Sequence, residues 1–172
     1  MDRIVYEHYN YFNNYDKNRS FPIKNWPKNN KLLGGLWGCR VGCSYGWVYI
    51  TNEARDGKRN LPKGQHENPD KIRPIEDCTK FEFVLKSWAK NYIISTFEDY
   101  ENLPKMKFEG KEVVDYEKCF KDGIDAIELC AIGDEYDDLS TQEDFDKLDE
   151  VFGVYWDCDS IVVLNPDAYE IV

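Results

Sequence analysis

Two aspartates one residue apart, Asp157 and Asp159, are the side chains of this sequence best suited to chemistry. They stand just before residues 161–164, four consecutive apolar residues of which three are β-branched, and this run predicts a buried strand. Because side chains alternate along a strand, both carboxylates are expected on one side of the chain, beside Trp156. Two carboxylates on one face form a candidate site. The alternative is a solvated loop that leads into a core strand.

A pair of glycines before an aromatic residue is the second candidate feature. Gly34 and Gly35 precede Leu36 and Trp37, and glycines allow a backbone to approach a flat or bulky group closely. The pattern predicts a strand that carries Trp37 into the site. Core packing of the Trp37 side chain is the alternative interpretation.

The elements that must position these residues are mostly short strands. Alternation of apolar and polar residues predicts a strand over residues 3–9, with His8 at its end, and further strands over residues 78–85, 91–95 and 124–132. A pattern like a capping box over residues 140–143 predicts one short amphipathic helix after it.

The order of these elements predicts the fold class. Many short strands with few short helices indicate an α+β protein, which we expect to contain two packed, mainly antiparallel β-sheets. The 172 residues, 42% of them hydrophobic, are enough for a single domain over residues 1–172. The sequence contains no glycine-rich phosphate loop, which argues against kinase, P-loop and Rossmann functions.

The charge of the chain limits its partners. With 33 acidic and 22 basic residues the net charge is −11, which should repel nucleic acids and anionic membranes and attract basic partners. Two histidines and six cysteines without a C-x-x-C pair give no reason to expect a metal site, and the cysteines are interpreted as reduced thiols of a cytoplasmic protein. No run is long and apolar enough to predict a transmembrane segment.

Three short motifs together resemble the ADP-ribosyltransferase family, which includes the poly-ADP-ribose polymerases. That family has a His on its first strand, a Tyr shortly after a glycine on the second, and an acid that opens a late apolar strand. Here His8 resembles the first position. Gly35, followed by Leu36 and Trp37, resembles the second with Trp for Tyr, and Asp159 resembles the third with Asp for the usual Glu.

The resemblance implies that NAD is the substrate and gives each position a role. Asp159 would stabilise the oxocarbenium-like ribose that forms when the nicotinamide bond breaks. Trp37 would stack on the nicotinamide ring, and His8 would donate a hydrogen bond to ribose or diphosphate groups. Asp157 would orient the acceptor nucleophile or act as a surface residue. Arg40, together with Arg3, would supply positive charge to the diphosphate, and the alternative for either arginine is a surface position.

Two functional hypotheses follow. The first is a mono-ADP-ribosyltransferase that transfers ADP-ribose from NAD to a protein or other macromolecular acceptor, or an NAD glycohydrolase in which water is the acceptor. The second is a binding protein without catalysis, either a degenerate member of the same fold or an acidic inhibitor of a basic partner surface. A composition rich in Asn, Lys, Ile and Tyr is typical of AT-rich bacterial or phage genomes, so a role in phage–host conflict is compatible with both.

Overall fold

The strands and helices are short, as expected. The computed structural model describes residues 3–10, 14–49, 78–153, 156 and 158–172. In chain order the strands are β1 (Val5–Asn10), β2 (Lys24–Trp26), β3 (Lys31–Leu33), β4 (Leu36–Arg40), β5 (Thr79–Leu85), β6 (Asn91–Ile94), β7 (Lys105–Phe108), β8 (Lys111–Val114), β9 (Ala126–Leu129), β10 (Ser160–Val163) and β11 (Tyr169–Ile171). The helices that lie wholly within the described residues are α1 (Lys17–Ser20), α2 (Phe97–Glu101), α3 (Tyr116–Lys121) and α4 (Gln142–Phe152), with 3₁₀ turns at Pro27–Asn29 and Asp134–Tyr136.

The predicted α+β class is confirmed, but the expected arrangement of two packed sheets is wrong. Seven strands form one sheet in the order β11-β5-β1-β4-β10-β9-β6, and the hairpins β2–β3 and β7–β8 lie outside it. All pairs in the large sheet are antiparallel except β6 with β9. The sheet is continuous because β4 pairs with β1 on one side and with β10 on the other. Alternation predicts that strands exist, whereas it does not specify which of them pair.

Each face of the sheet carries its own hydrophobic core, as the alternation of side chains along every strand requires. One core holds Ile94, Ile127 and Val162 of the sheet together with residues of α2, α3 and α4. The other holds Tyr6, Leu36, Phe83, Ile161 and Val163. Strand β10 thus contributes to both cores, which explains its almost uninterrupted apolar sequence.

The helix predicted from a capping pattern is α4. Its N-cap is Thr141, one residue later than the predicted pattern, which begins at Ser140. The Thr141 hydroxyl accepts a hydrogen bond from the Asp144 backbone nitrogen at 3.1 Å, while the Asp144 carboxylate accepts from the Thr141 backbone nitrogen at 3.0 Å. This reciprocal pair satisfies two backbone donors that a helix start leaves unpaired. None of the helices within the described ranges is long and apolar enough to cross a membrane.

Candidate functional site

The sheet opens between β1 and β4, and a cavity lies at this opening. These strands pair at Tyr6 with Arg40 and at Glu7 with Cys39. Beyond Glu7, β1 continues its pairing with β5 alone, and β4 continues towards Leu36 paired with β10. A cavity of about 470 Å³ is lined there by His8, Tyr15, Arg19, Lys31, Gly35 and Trp37, among others. This volume lies within the range of small-molecule sites.

His8 bridges the opening. Its Nδ1 lies 2.6 Å from the backbone carbonyl oxygen of Trp37, and its ring packs against Tyr15 and Phe81 with centroid distances of 5.6 and 5.0 Å. Burial lowers the pKa of His8 below its ordinary value of 6.5, although the hydrogen bonds with the Trp37 carbonyl and the Asn10 side chain oppose this shift. Because a carbonyl only accepts, Nδ1 carries the proton of the neutral ring and Nε2 is an acceptor.

The glycine pair brings the β3–β4 connection against two neighbouring segments. Gly34 and Gly35 have φ of +85° and +74°, where side chains other than glycine are strained. A Cβ on Gly34 would lie 2.4 Å from the Ser20 carbonyl oxygen, and one on Gly35 would lie 2.6 Å from Cγ2 of Val162. The Gly35 nitrogen donates to the Ser20 oxygen at 2.7 Å. The predicted close approach is therefore confirmed, and it forms one wall of the cavity.

Trp37 belongs both to the cavity and to the core. Its Nε1 donates to the Gly34 carbonyl at 3.0 Å, and its ring meets Trp156 edge to face at a centroid distance of 5.2 Å. The Lys31 ammonium lies over the ring, 4.7 Å from its centroid. The indole therefore already binds a cation on the face that a cationic ligand ring would use.

Two cations at this cavity were missed by the sequence interpretation, namely Arg19 and Lys31. Arg19 is exposed and pairs with Asp16, its Nε lying 3.0 Å from an Asp16 carboxylate oxygen. Their signal is readable in the sequence: residues 17–33 contain five basic and no acidic side chains. Because Asp16 also lines the cavity, its described lining holds two basic and one acidic side chain, which is a small positive charge within a strongly acidic chain.

Arg40 and Arg3, the cations that the sequence suggested, are used elsewhere. The Arg40 Nε donates to the buried carboxylate of Glu128 at 2.6 Å, and Glu128 also accepts from the Tyr6 hydroxyl at 3.0 Å and from Asn91 Nδ2 at 2.7 Å. Arg3 pairs with Glu170. Neither arginine is among the described residues that line the cavity. In this arrangement Arg40 neutralises a buried charge and is not placed to bind a ligand diphosphate there.

Asp159 is buried and lies outside the cavity lining. Its carboxylate accepts backbone hydrogen bonds from Ala131 at 2.8 Å, from Ile132 at 3.0 Å and from Gly133 at 2.6 Å. Burial raises the pKa of Asp159 from 3.8 to about 6, against the three amides that lower it. The carboxylate therefore holds the segment after β9 in place. Asp157, the other predicted acid, lies outside the described residues.

The predicted site residues thus separate into two groups. His8, Gly35 and Trp37 meet at one cavity, whereas Arg40 and Asp159 lie in other hydrogen-bond networks. Among residues that the structure describes, no group of three or more His, Cys, Asp or Glu side chains could hold a metal ion. No protein-family model, curated protein or solved structure matches the chain.

Proposed function

We propose that the cavity binds NAD and that the protein is an ADP-ribosyltransferase-like enzyme that transfers ADP-ribose to a macromolecular acceptor. In this reaction the bond between ribose C1′ and nicotinamide breaks, and nicotinamide leaves with the bonding electrons. The acceptor nucleophile bonds to C1′ and releases its proton to solvent. The observation that carries the proposal is the meeting of His8, Gly35 and Trp37, which are separated in sequence, at a single cavity of ligand size.

The cavity offers a partner for each part of NAD. The Nε2 of neutral His8 accepts a hydrogen bond from a ribose hydroxyl, so His8 serves as an acceptor instead of the donor expected from the sequence. Arg19 and Lys31 pair with the diphosphate. Lys31 moves from the face of the Trp37 ring to a phosphate of NAD, and the nicotinamide ring then stacks on that face.

The carboxylate that stabilises the ribose cation comes from the segment that contains Asp157 and Asp159. Asp159 stands three residues before Val162, which pairs with Trp37, a separation of about 10 Å along an extended strand. The Asp159 carboxylate accepts hydrogen bonds from the backbone amides of residues 131–133, so Asp159 positions that segment. We propose that Asp157, which lies outside the described residues, is the acid at the ribose, and its substitution tests this assignment.

The proposed function, though not the family's two-sheet architecture, is supported by the neighbourhood of three strands. The family positions resembled by His8, by Gly35 with Trp37, and by Asp159 fall on or next to β1, β4 and β10. These strands are consecutive neighbours in the sheet. The strands that carry or adjoin these motifs are therefore neighbours in the sheet, although Asp159 itself does not line the cavity.

A second candidate function is ligand binding without catalysis. The observation in its favour is the Asp159 carboxylate, whose oxygens accept backbone hydrogen bonds and do not line the cavity. On this hypothesis the cavity binds a nucleotide, or the acidic surface binds a basic partner, and no bond is broken. Electrostatic binding to a basic partner would weaken steeply with added salt.

One experiment separates these functions. Calorimetric titration with NAD measures binding, and chromatography of the same mixture measures nicotinamide release, with intact mass reporting ADP-ribose adducts. Wild type is compared with Asp157→Asn and Trp37→Ala. Binding with release that disappears in Asp157→Asn supports the enzyme, and binding without release supports the second function. No binding of NAD at millimolar concentration overturns both nucleotide proposals.

A further inference from the structure

The charge of the chain reverses around the cavity. Residues 17–33 carry five basic side chains, and all 33 acidic residues of the chain lie outside this stretch. Helix α1 and the β2–β3 hairpin, which make up most of this stretch, supply the cavity residues Arg19 and Lys31. A polyanion is therefore repelled less at this rim than by the molecule as a whole, although Asp16 also lines the cavity beside Arg19.

The β2–β3 hairpin presents a definite outward face. Lys24 pairs with Leu33 and Trp26 pairs with Lys31, and residues directly opposite each other in a hairpin point to the same side. The intervening pair of Asn25 and Leu32 points inward, since Leu32 is buried in the core and Asn25 bonds to Asp115. We name the outward set of Lys24, Trp26, Lys31 and Leu33 the hairpin face.

The hairpin face combines cations with exposed apolar groups. Trp26 and Leu33 are 36% and 50% exposed, and Lys24 is exposed beside them. The two lysines lie on one diagonal of the face, with Trp26 and Leu33 on the other, and diagonal neighbours of this kind have backbones about 7–8 Å apart. The face continues into the cavity through Lys31, whose ammonium lies over Trp37.

We infer that the hairpin face and Arg19 bind single-stranded nucleic acid. Cations spaced along a groove and an exposed indole on which a base stacks are the two parts of such a site. A duplex offers no free base face to Trp26, and an acidic peptide gains nothing from stacking, so the exposed indole favours a single strand. That this single strand is the acceptor of ADP-ribose rests on the proposed transferase function. Binding of the strand itself does not require NAD.

Other nearby cations are not part of the inferred site. Lys28 lies in a separate groove beside Glu109, Glu112 and Glu150, and Lys17 is not among the described residues that line the cavity. The inferred site uses three cations, namely Arg19, Lys24 and Lys31, and Arg19 exchanges its pairing with Asp16 for a phosphate. Neutralisation of three phosphates of a single strand predicts that the logarithm of the affinity falls with the logarithm of salt with a slope of about −2.

The test uses the whole protein, without NAD, and a fluorescein-labelled 20-nucleotide oligothymidylate. Fluorescence anisotropy is measured between about 25 and 200 mM KCl. We expect binding with the stated salt slope, a loss of about tenfold in affinity for Trp26→Ala, and a comparable loss for Lys24→Glu. Because Lys24 is exposed, the Lys24→Glu variant should keep the fold even if Trp26→Ala does not.

A matched control lies in the turn between β5 and β6. Trp88 is 54% exposed and has the Lys86 ammonium 5.8 Å from its ring centroid, yet neither residue lines the cavity. Trp88→Ala and Lys86→Glu should leave the affinity unchanged. The inference is overturned by no binding at 25 mM KCl, by equal losses in the control variants, or by full competition from polyglutamate at equal charge. Since NAD is absent, each of these results leaves the proposed catalytic function untouched.

Discussion

The imidazole Nδ1 of His8 lies 2.6 Å from the carbonyl oxygen of Trp37, at the point where the ladder between β1 and β4 has ended. A side chain thus makes the hydrogen bond that the backbones no longer make. The same contact fixes the ring tautomer and presents Nε2 as an acceptor. One residue therefore both links β1 to β4 beyond their last backbone pair and lines the cavity.

Two substitutions of His8 should separate these roles. The amide nitrogen of Asn can replace Nδ1 and keep the bond to Trp37, whereas Gln reaches towards the Nε2 position and keeps an acceptor there. We expect His8→Asn to be more stable than His8→Gln by about 1 kcal/mol, because it keeps one hydrogen bond. NAD affinity should follow the opposite order. Urea unfolding measures the order of stability, and calorimetry measures the order of NAD affinity. If the same variant is both more stable and tighter in binding, His8 does not have two separable roles.

The glycine wall gives a second prediction, on stability. Gly35→Ala places a Cβ 2.6 Å from Val162 at φ +74°, whereas Gly42→Ala has a similar φ of +81° and nothing within 4 Å. Both variants lose about 1 kcal/mol from the backbone conformation. Gly35→Ala should lose about 1–3 kcal/mol more through overpacking. Equal unfolding midpoints in urea for the two variants would show that β10 moves freely away from the wall.

The cations of the cavity should determine affinity for a nucleotide. Arg19→Gln combined with Lys31→Gln removes two charged donors from the cavity lining. We expect NAD affinity to fall at least tenfold, since a hydrogen bond to a charged group contributes about 1.5–3 kcal/mol. Calorimetric titration at constant ionic strength measures the change. Lys147→Gln, which removes an exposed cation paired with Glu143 on α4, should bind NAD as the wild type does.

Arg40→Gln is the contrasting variant. Arg40 pairs with Glu128, which is 2% exposed, so the substitution leaves a buried carboxylate with only the Tyr6 and Asn91 donors. The free energy of unfolding should fall by about 2 kcal/mol, less than for a fully buried pair because Arg40 is partly solvated. NAD affinity of the folded protein should not change. A loss of affinity would restore the ligand-binding role that the sequence suggested for Arg40.

Sequence patterns predicted most strands of the large sheet and missed the two hairpins. Alternation or an apolar run predicted β1, β5 and β10, and the glycine pair before Trp37 predicted β4. The hairpin β2–β3 was missed because each of its strands has three residues, in a segment rich in Asn and Pro that resembles a loop. Its Lys31 reaches Trp37 only through this hairpin, so the cation of the site was missed with it.

The role of Asp159 illustrates a different limit. An acid in front of a buried strand is equally compatible with a catalytic group and with an acceptor for backbone amides. The donors that decide between these roles belong to residues 131–133, which are 26 to 28 positions earlier in the chain. Only the pairing of β9 with β10 brings them together, and no local pattern encodes that contact.

The titration of Asp159 yields the last prediction. Its pKa is about 6 in the folded protein and 3.8 as its ordinary value, because burial outweighs the three amides. A raised pKa means that the folded state holds a proton that the unfolded state has lost. The contribution of Asp159 protonation to the free energy of unfolding is therefore fully present below pH 3.8, and it is lost as the pH rises through 6.

Asp159→Asn does not titrate, so it isolates this contribution. Measured by urea unfolding, the stability of the wild type relative to Asp159→Asn should fall by about 2 kcal/mol between pH 4.5 and 8, at about 1.4 kcal/mol per pKa unit. A relative stability that instead rises with pH would mean that the three amides outweigh burial. In that case the backbone amides of residues 131–133 hold the Asp159 carboxylate in its ionised form next to β10.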